Sequence, residues 1–94
     1  MQQRETQPIL IVEDSEDDYE ATIRAFKRAK LKNPVQWAPS GQQALDLLAT
    51  METRPGLILL DLNMPGLDGR KTLEAIKSNP AWRKIPVVIL TTSD

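Results

Sequence analysis

Asp61 ends the aliphatic run Leu57-Ile58-Leu59-Leu60 and is followed closely by Asn63, Pro65, Gly66 and Gly69. A run that short reads as a buried strand of a parallel sheet, and the Pro and glycines after it force a loop. Ligands of open α/β sheets collect at the carboxyl ends of the strands, so Asp61 stands where chemistry is expected. Two further aliphatic runs end in polar residues. Ile9-Leu10-Ile11-Val12 delivers Glu13 and Asp14, and Val87-Val88-Ile89-Leu90 delivers Thr91. Parallel strands of one sheet end at one edge, which makes Glu13, Asp14, Asp61, Asn63 and Thr91 neighbours. Crowded carboxylates repel one another unless a hard divalent cation sits among them, and Mg²⁺ favours carboxylate, carbonyl and water oxygens. A carboxylate can also be a nucleophile toward a phosphoryl group. Mg²⁺ would then neutralise charge on the transferred group, and the Thr91 hydroxyl could donate to a phosphoryl oxygen.

The elements that position these residues follow from periodicity and punctuation. Strands are expected at Ile9 to Val12, Val35 to Ala38, Leu57 to Leu62 and Val87 to Leu90. After the first strand, Ser15 caps a helix whose first turn holds Glu16, Asp17 and Asp18 and whose second half holds Arg24, Lys27, Arg28 and Lys30. Both charge groups suit the helix dipole. Tyr19, Ile23 and Phe26 give it one apolar face, and it should end between Lys30 and Asn33, before Pro34. Ser40 caps a second helix with Ala44, Leu47, Leu48 and Met51 at full amphipathic spacing. Gly69 to Ser78 reads as a third helix with Leu73 and Ile76 inward, ended by Asn79-Pro80. The β-α-β-α-β-α-β order implies a parallel sheet with helices on its faces and right-handed crossovers.

Composition narrows the function classes. A chain of 94 residues makes one domain. It is 40% hydrophobic, which places it among folded globular proteins rather than disordered ones. A net charge of −1 gives no global attraction to nucleic acid or anionic membrane. The absence of Cys excludes disulfides, thiolate zinc sites and a Cys nucleophile. The absence of His removes the imidazole base and the phosphohistidine, so any relay through histidine needs another protein. The polar start from Met1 has no apolar core of a signal peptide, and no run approaches membrane-span length. A soluble cytoplasmic protein is the expectation, with residues 1–8 as a polar tail and 9–94 as the domain.

Three stretches carry a resemblance to the receiver domain of two-component response regulators: Ile9-Leu-Ile-Val-Glu-Asp-Ser15, Asp61-Leu-Asn-Met-Pro-Gly-Leu-Asp-Gly69 and Ile85-Pro-Val-Val-Ile-Leu-Thr-Thr-Ser93. The wording is most similar to the small regulators that serve bacterial phytochromes. The resemblance implies a flavodoxin-like, doubly wound α/β sheet of strand order 2-1-3-4-5. It implies Asp61 as phosphoacceptor and Asp14 with Glu13 as holders of Mg²⁺. The Asn63 backbone carbonyl joins them on the metal, Thr91 is the hydroxyl that reports phosphorylation, and Pro65 and Gly69 shape the loop. The implied partner is a sensor histidine kinase, with a bacterial phytochrome as the narrower match. The implied role is phosphoryl acceptance in a phosphorelay rather than conventional enzymic turnover.

The chain departs from the family pattern after the fourth strand. Read as a truncated receiver, it lacks the fourth helix, fifth strand and fifth helix, together with the family's Lys at the end of strand five and its aromatic switch residue. Val87 to Leu90 then becomes an uncharged sheet edge that invites another chain, and a homodimer pairing this strand antiparallel with its symmetry mate is expected. This supplies a rival reading, a self-associating interaction module that takes no phosphate.

Single features are less telling than their conjunction. An acidic residue ending one strand is common in α/β proteins, and Glu16, Asp17 and Asp18 read as a solvated first turn. Asp61-x-Asn63 begins like an EF-hand loop, but Pro65 and Thr72 stand at positions that motif cannot accept. Gly69-Arg-Lys-Thr72 lacks the glycine spacing of a P-loop. Trp37 and Trp82 read as packing residues, Leu47, Leu48 and Met51 as core, and Lys71, Lys77, Arg83 and Lys84 as a solvated basic rim.

Overall fold

Four short strands and three helices alternate along the chain in a computed structural model that describes residues 7–62 and 69–90. They are β1 (Ile9–Val12), α1 (Glu16–Arg28), β2 (Val35–Ala38), α2 (Gly41–Thr50), β3 (Leu57–Asp61), α3 (Gly69–Ser78) and β4 (Val87–Leu90). All pairings are parallel, in the order β2-β1-β3-β4. This is the doubly wound arrangement expected from the alternation. β1 lies between β2 and β3, with Val12 in register with Ala38 on one side and Leu60 on the other.

Alternate strand residues supply two cores, as the two-residue period of a pleated strand requires. Leu10, Val12, Ala38, Ile58 and Leu60 pack on one face with Ala44 and Leu48 of α2 and Ile76 of α3. Ile9, Ile11 and Leu59 face the other way, toward Tyr19, Ile23 and Phe26 of α1. The second face is the thinner one: no residue of α1 is buried, and Val88 of β4 is 46% exposed.

The helix starts are the ones expected. Ser15 Oγ accepts from the Asp18 N–H at 3.3 Å, and Ser40 Oγ accepts from the Gln43 N–H at 3.1 Å. The end of α1 differs from expectation. The helix stops at Arg28, and Lys30 adopts a left-handed conformation with φ 62°. The Lys30 N–H donates to the Lys27 carbonyl at 3.1 Å and the Leu31 N–H to the Phe26 carbonyl at 3.0 Å. That pair of bonds is a Schellman cap, normally built on glycine. Lysine hides it from a sequence reading, which instead runs the helix on toward Pro34.

Three smaller expectations change. β3 ends at Asp61 rather than Leu62. Met51 is the C-cap of α2 and donates its N–H to the Leu47 carbonyl at 2.8 Å; it is not a core residue. Lys77 is not simply solvated: its Nζ donates to the carbonyls of Arg83 at 3.0 Å and Ile85 at 3.2 Å, tying α3 to the approach to β4. At the amino ends of the strands, the Pro8 carbonyl accepts from the Gly56 N–H at 2.9 Å. Among the described residues no helix is long and apolar enough to cross a membrane.

Candidate functional site

The carboxyl ends of β1 and β3 lie side by side, because the two strands pair in parallel and in register through Val12 and Leu60. Asp61 is the last residue of β3, and Glu13 and Asp14 follow β1 directly. One carboxylate oxygen from each of Glu13, Asp14 and Asp61 lies within 4.8 Å of the other two. Glu13 and Asp61 are buried and Asp14 is exposed, so the cluster opens to solvent on the Asp14 side. Asn63 and Thr91, the other two residues singled out from sequence, lie outside the described residues, as does Pro65.

Glu13 is held from several sides. Its N–H donates to the Ala38 carbonyl at 3.1 Å, extending the sheet ladder one residue past β1. Its carbonyl accepts from the Trp37 indole Nε1–H at 2.7 Å, and its Oε2 accepts from the Ser15 N–H at 3.1 Å. Burial raises its pKa from 4.5 to about 7; the Ser15 N–H works in the opposite direction, while the Asp61 charge and hydrogen bond and the charge of Asp18 push it further up. The Glu13 carboxyl is thus held well above the usual carboxylate range, chiefly by burial.

Gly69 positions Asp61 from the far side of the loop. It is buried at the first turn of α3, and a Cβ there would run into the Asp61 carbonyl oxygen and the Leu62 Cα. Only glycine lets the helix start come that close to the end of β3. The sequence marks Gly69 as a loop-shaping residue and the start of the third helix, and its closeness to the Asp61 backbone emerges only from the fold. The Trp37 bond to Glu13 was likewise not legible, since a tryptophan on a short strand reads first as packing.

The donor set is three carboxylates, hard oxygen ligands of the kind Mg²⁺ or another hard divalent cation takes. Burial first, and the Asp61 charge after it, raise the Glu13 pKa, and a cation among the carboxylates would act against both. On donor chemistry and spacing, the residues fit the metal expected from sequence.

Residues 9–94 match the family model described as the response regulator receiver domain. The chain is 40% identical over 89 residues to the probable methanogenesis regulatory protein FilR2 of Methanothrix harundinacea, covering 90% of this chain and 57% of that protein. It is 41% identical over 90 residues to the response regulator Rcp1 of Synechocystis sp., covering 90% of this chain and 61% of that protein. It thus spans about three fifths of the length of these curated relatives. Among solved structures, the bacteriophytochrome response regulator AtBRR superimposes with a TM-score of 0.89 at 39% identity, over 94% of this chain and 68% of that one. The Mn²⁺-bound form of Rcp1 gives 0.84 at 40% identity, over 93% and 66%. The sheet order, the helix layers and these matches agree: the chain belongs to the response regulator receiver domains of two-component signalling, with their flavodoxin-like fold.

Proposed function

We propose that Asp61 accepts a phosphoryl group from a phosphohistidine of a sensor histidine kinase in the cytoplasm. The observation that carries this reading is the meeting of Glu13, Asp14 and Asp61 within 4.8 Å at two adjacent strand ends. A carboxylate oxygen of Asp61 attacks phosphorus in line; the new O–P bond forms as the N–P bond breaks, and the imidazole nitrogen leaves with the electron pair. The chain has no His, so the donor imidazole belongs to the partner. Glu13, Asp14, Asp61 and the Asn63 backbone carbonyl would hold Mg²⁺, and Thr91 would donate its hydroxyl to the phosphoryl group. When bound, Mg²⁺ offsets the negative charge shared between the phosphoryl oxygens and the carboxylates. The likeness to a Mn²⁺-bound Rcp1 supports a divalent ion here, and the likeness to bacteriophytochrome response regulators supports a phytochrome-type kinase as donor. In this role the chain is the acceptor in a relay, not a conventional enzyme.

Incubation with Mg²⁺ and millimolar acetyl phosphate, followed by intact-mass measurement, tests the reading. One acid- and base-labile phosphate is expected, lost in Asp61→Asn; no modification of the wild type refutes it. Beryllofluoride should protect the wild type and not the variant against thermal unfolding.

A second reading is favoured by one observation. β4 pairs with β3 on one side only among the described residues, and Val88 at its centre is 46% exposed. An uncharged edge of this kind recruits a further strand, and on this reading Val87–Leu90 pairs with a second copy, making the protein a self-associating module. Sedimentation should show a dimer at micromolar concentration that Val88→Lys converts to monomer; a wild-type monomer over that range refutes it.

A further inference from the structure

We infer that Trp37 is a positioning residue for the metal-binding carboxylates, acting through the backbone of Glu13; the inference rests on the proposed Mg²⁺ site. Trp37 lies on β2, a strand that contributes no carboxylate to the cluster. Its indole Nε1–H nevertheless reaches the Glu13 carbonyl, in the turn between β1 and α1, at 2.7 Å. Its ring stacks on Tyr19 of α1 with centroids 4.3 Å apart and planes 7° from parallel. One side chain therefore fixes both ends of that turn: Glu13 by a hydrogen bond, and the start of α1 by ring contact. Glu13 and Asp14 both belong to this turn, and the next N–H, on Ser15, is already committed to the Glu13 carboxylate at 3.1 Å.

The physical consequence is orientational. The two peptides that flank the Glu13 Cα are each held: the one shared with Val12 donates its N–H to the Ala38 carbonyl, and the one shared with Asp14 accepts at its carbonyl from Trp37. The Trp37 bond therefore opposes rotation of the Glu13–Asp14 peptide about an already anchored Glu13, and that rotation would swing the Asp14 carboxylate away from Asp61. A hydrogen bond that fixes a ligand from outside the coordination sphere typically changes metal affinity by about 10-fold or more when removed. The Tyr19 ring holds the indole in plane for this bond, so the stack serves the same end at one remove.

The test is Mg²⁺ affinity measured by titration calorimetry at pH 8, on the wild type, on Trp37→Phe and on the chain carrying 3-benzothienylalanine at position 37. The analogue keeps the bicyclic ring and its stack and lacks only the N–H donor. Both variants should bind Mg²⁺ about 10-fold more weakly than wild type while their far-ultraviolet circular dichroism is unchanged. A residue that served only to hold the fold together would lower the melting temperature and leave the affinity of the folded protein where it was. Wild-type affinity in the benzothienylalanine protein overturns the inference, whatever Trp37→Phe does to folding. A wild type that binds no Mg²⁺ overturns the metal site itself, a distinct result that the comparison reads separately.

Discussion

The carboxyls of Glu13 and Asp61 are joined by a hydrogen bond across the ends of β1 and β3, with only 3% and 2% of these residues exposed. Two carboxyls share such a bond only when one keeps its proton, and burial makes Glu13 the one that does, with a pKa of about 7. The folded protein thus binds more protons than the unfolded chain between the ordinary Glu value of 4.5 and about 7. Stability from this group is full below that window and is lost as pH rises through it. In the presence of a chelator the wild type should be more stable at pH 5 than at pH 8, by roughly 1–3 kcal/mol at ~1.36 kcal/mol per pKa unit. Glu13→Gln should flatten the profile, as urea midpoints across that range would show. A wild-type curve as flat as that of the variant would contradict this.

Mg²⁺ competes with the same proton, because a carboxylate ligand binds metal only when ionised. Its affinity should therefore rise as pH increases from 6 toward 8. Saturating Mg²⁺ should then stabilise the protein most at the upper end, where the chelated form is weakest. Thermal shifts measured with and without the ion at each pH read this directly.

Gly69→Ala should destabilise the protein by roughly 1–3 kcal/mol, the usual cost of forcing a methyl group into a filled space. The obstacle is backbone at Asp61 and Leu62 rather than a side chain that can swing away. The variant should also lose Mg²⁺ affinity, since the strain falls on the end of β3. Urea unfolding and calorimetry on the same sample separate the two effects.

Lys30→Gly should stabilise by about 0.5–1 kcal/mol, a gain without any new contact. The lysine occupies a left-handed conformation that glycine adopts without a Cβ penalty. Lys30→Ala should give none of this gain. A shift in urea midpoint for the glycine variant alone would identify the backbone as its source.

The strands were legible because aliphatic runs bounded by Pro, Gly and polar residues have few other readings. β1, β2 and β4 fall where their sequences place them. The helix starts were legible for a chemical reason, since Ser15 and Ser40 offer the oxygen that free N–H groups need. Features set by three-dimensional contact were not. Thr72 is fully buried on α3, although its polarity suggests a solvent face. The cap at Lys30 is carried by backbone geometry that lysine does not advertise. The convergence of Asp14 and Asp61 followed from topology alone, whereas the inequality between buried Glu13 and exposed Asp14 depends on how the turn after β1 is rolled.

β1 is the first strand in the chain and yet lies between β2 and β3, so neither neighbour exists when a ribosome releases it. Residues 9–12 must wait for residues 57–61 before both sides are closed. The acidic turn behind β1 meets Asp61 only at that late step. Mutual repulsion among the carboxylates is thus postponed until the aliphatic sheet can hold them together. Until that step β1 keeps an unpaired aliphatic edge, which a chaperone or another chain can occupy.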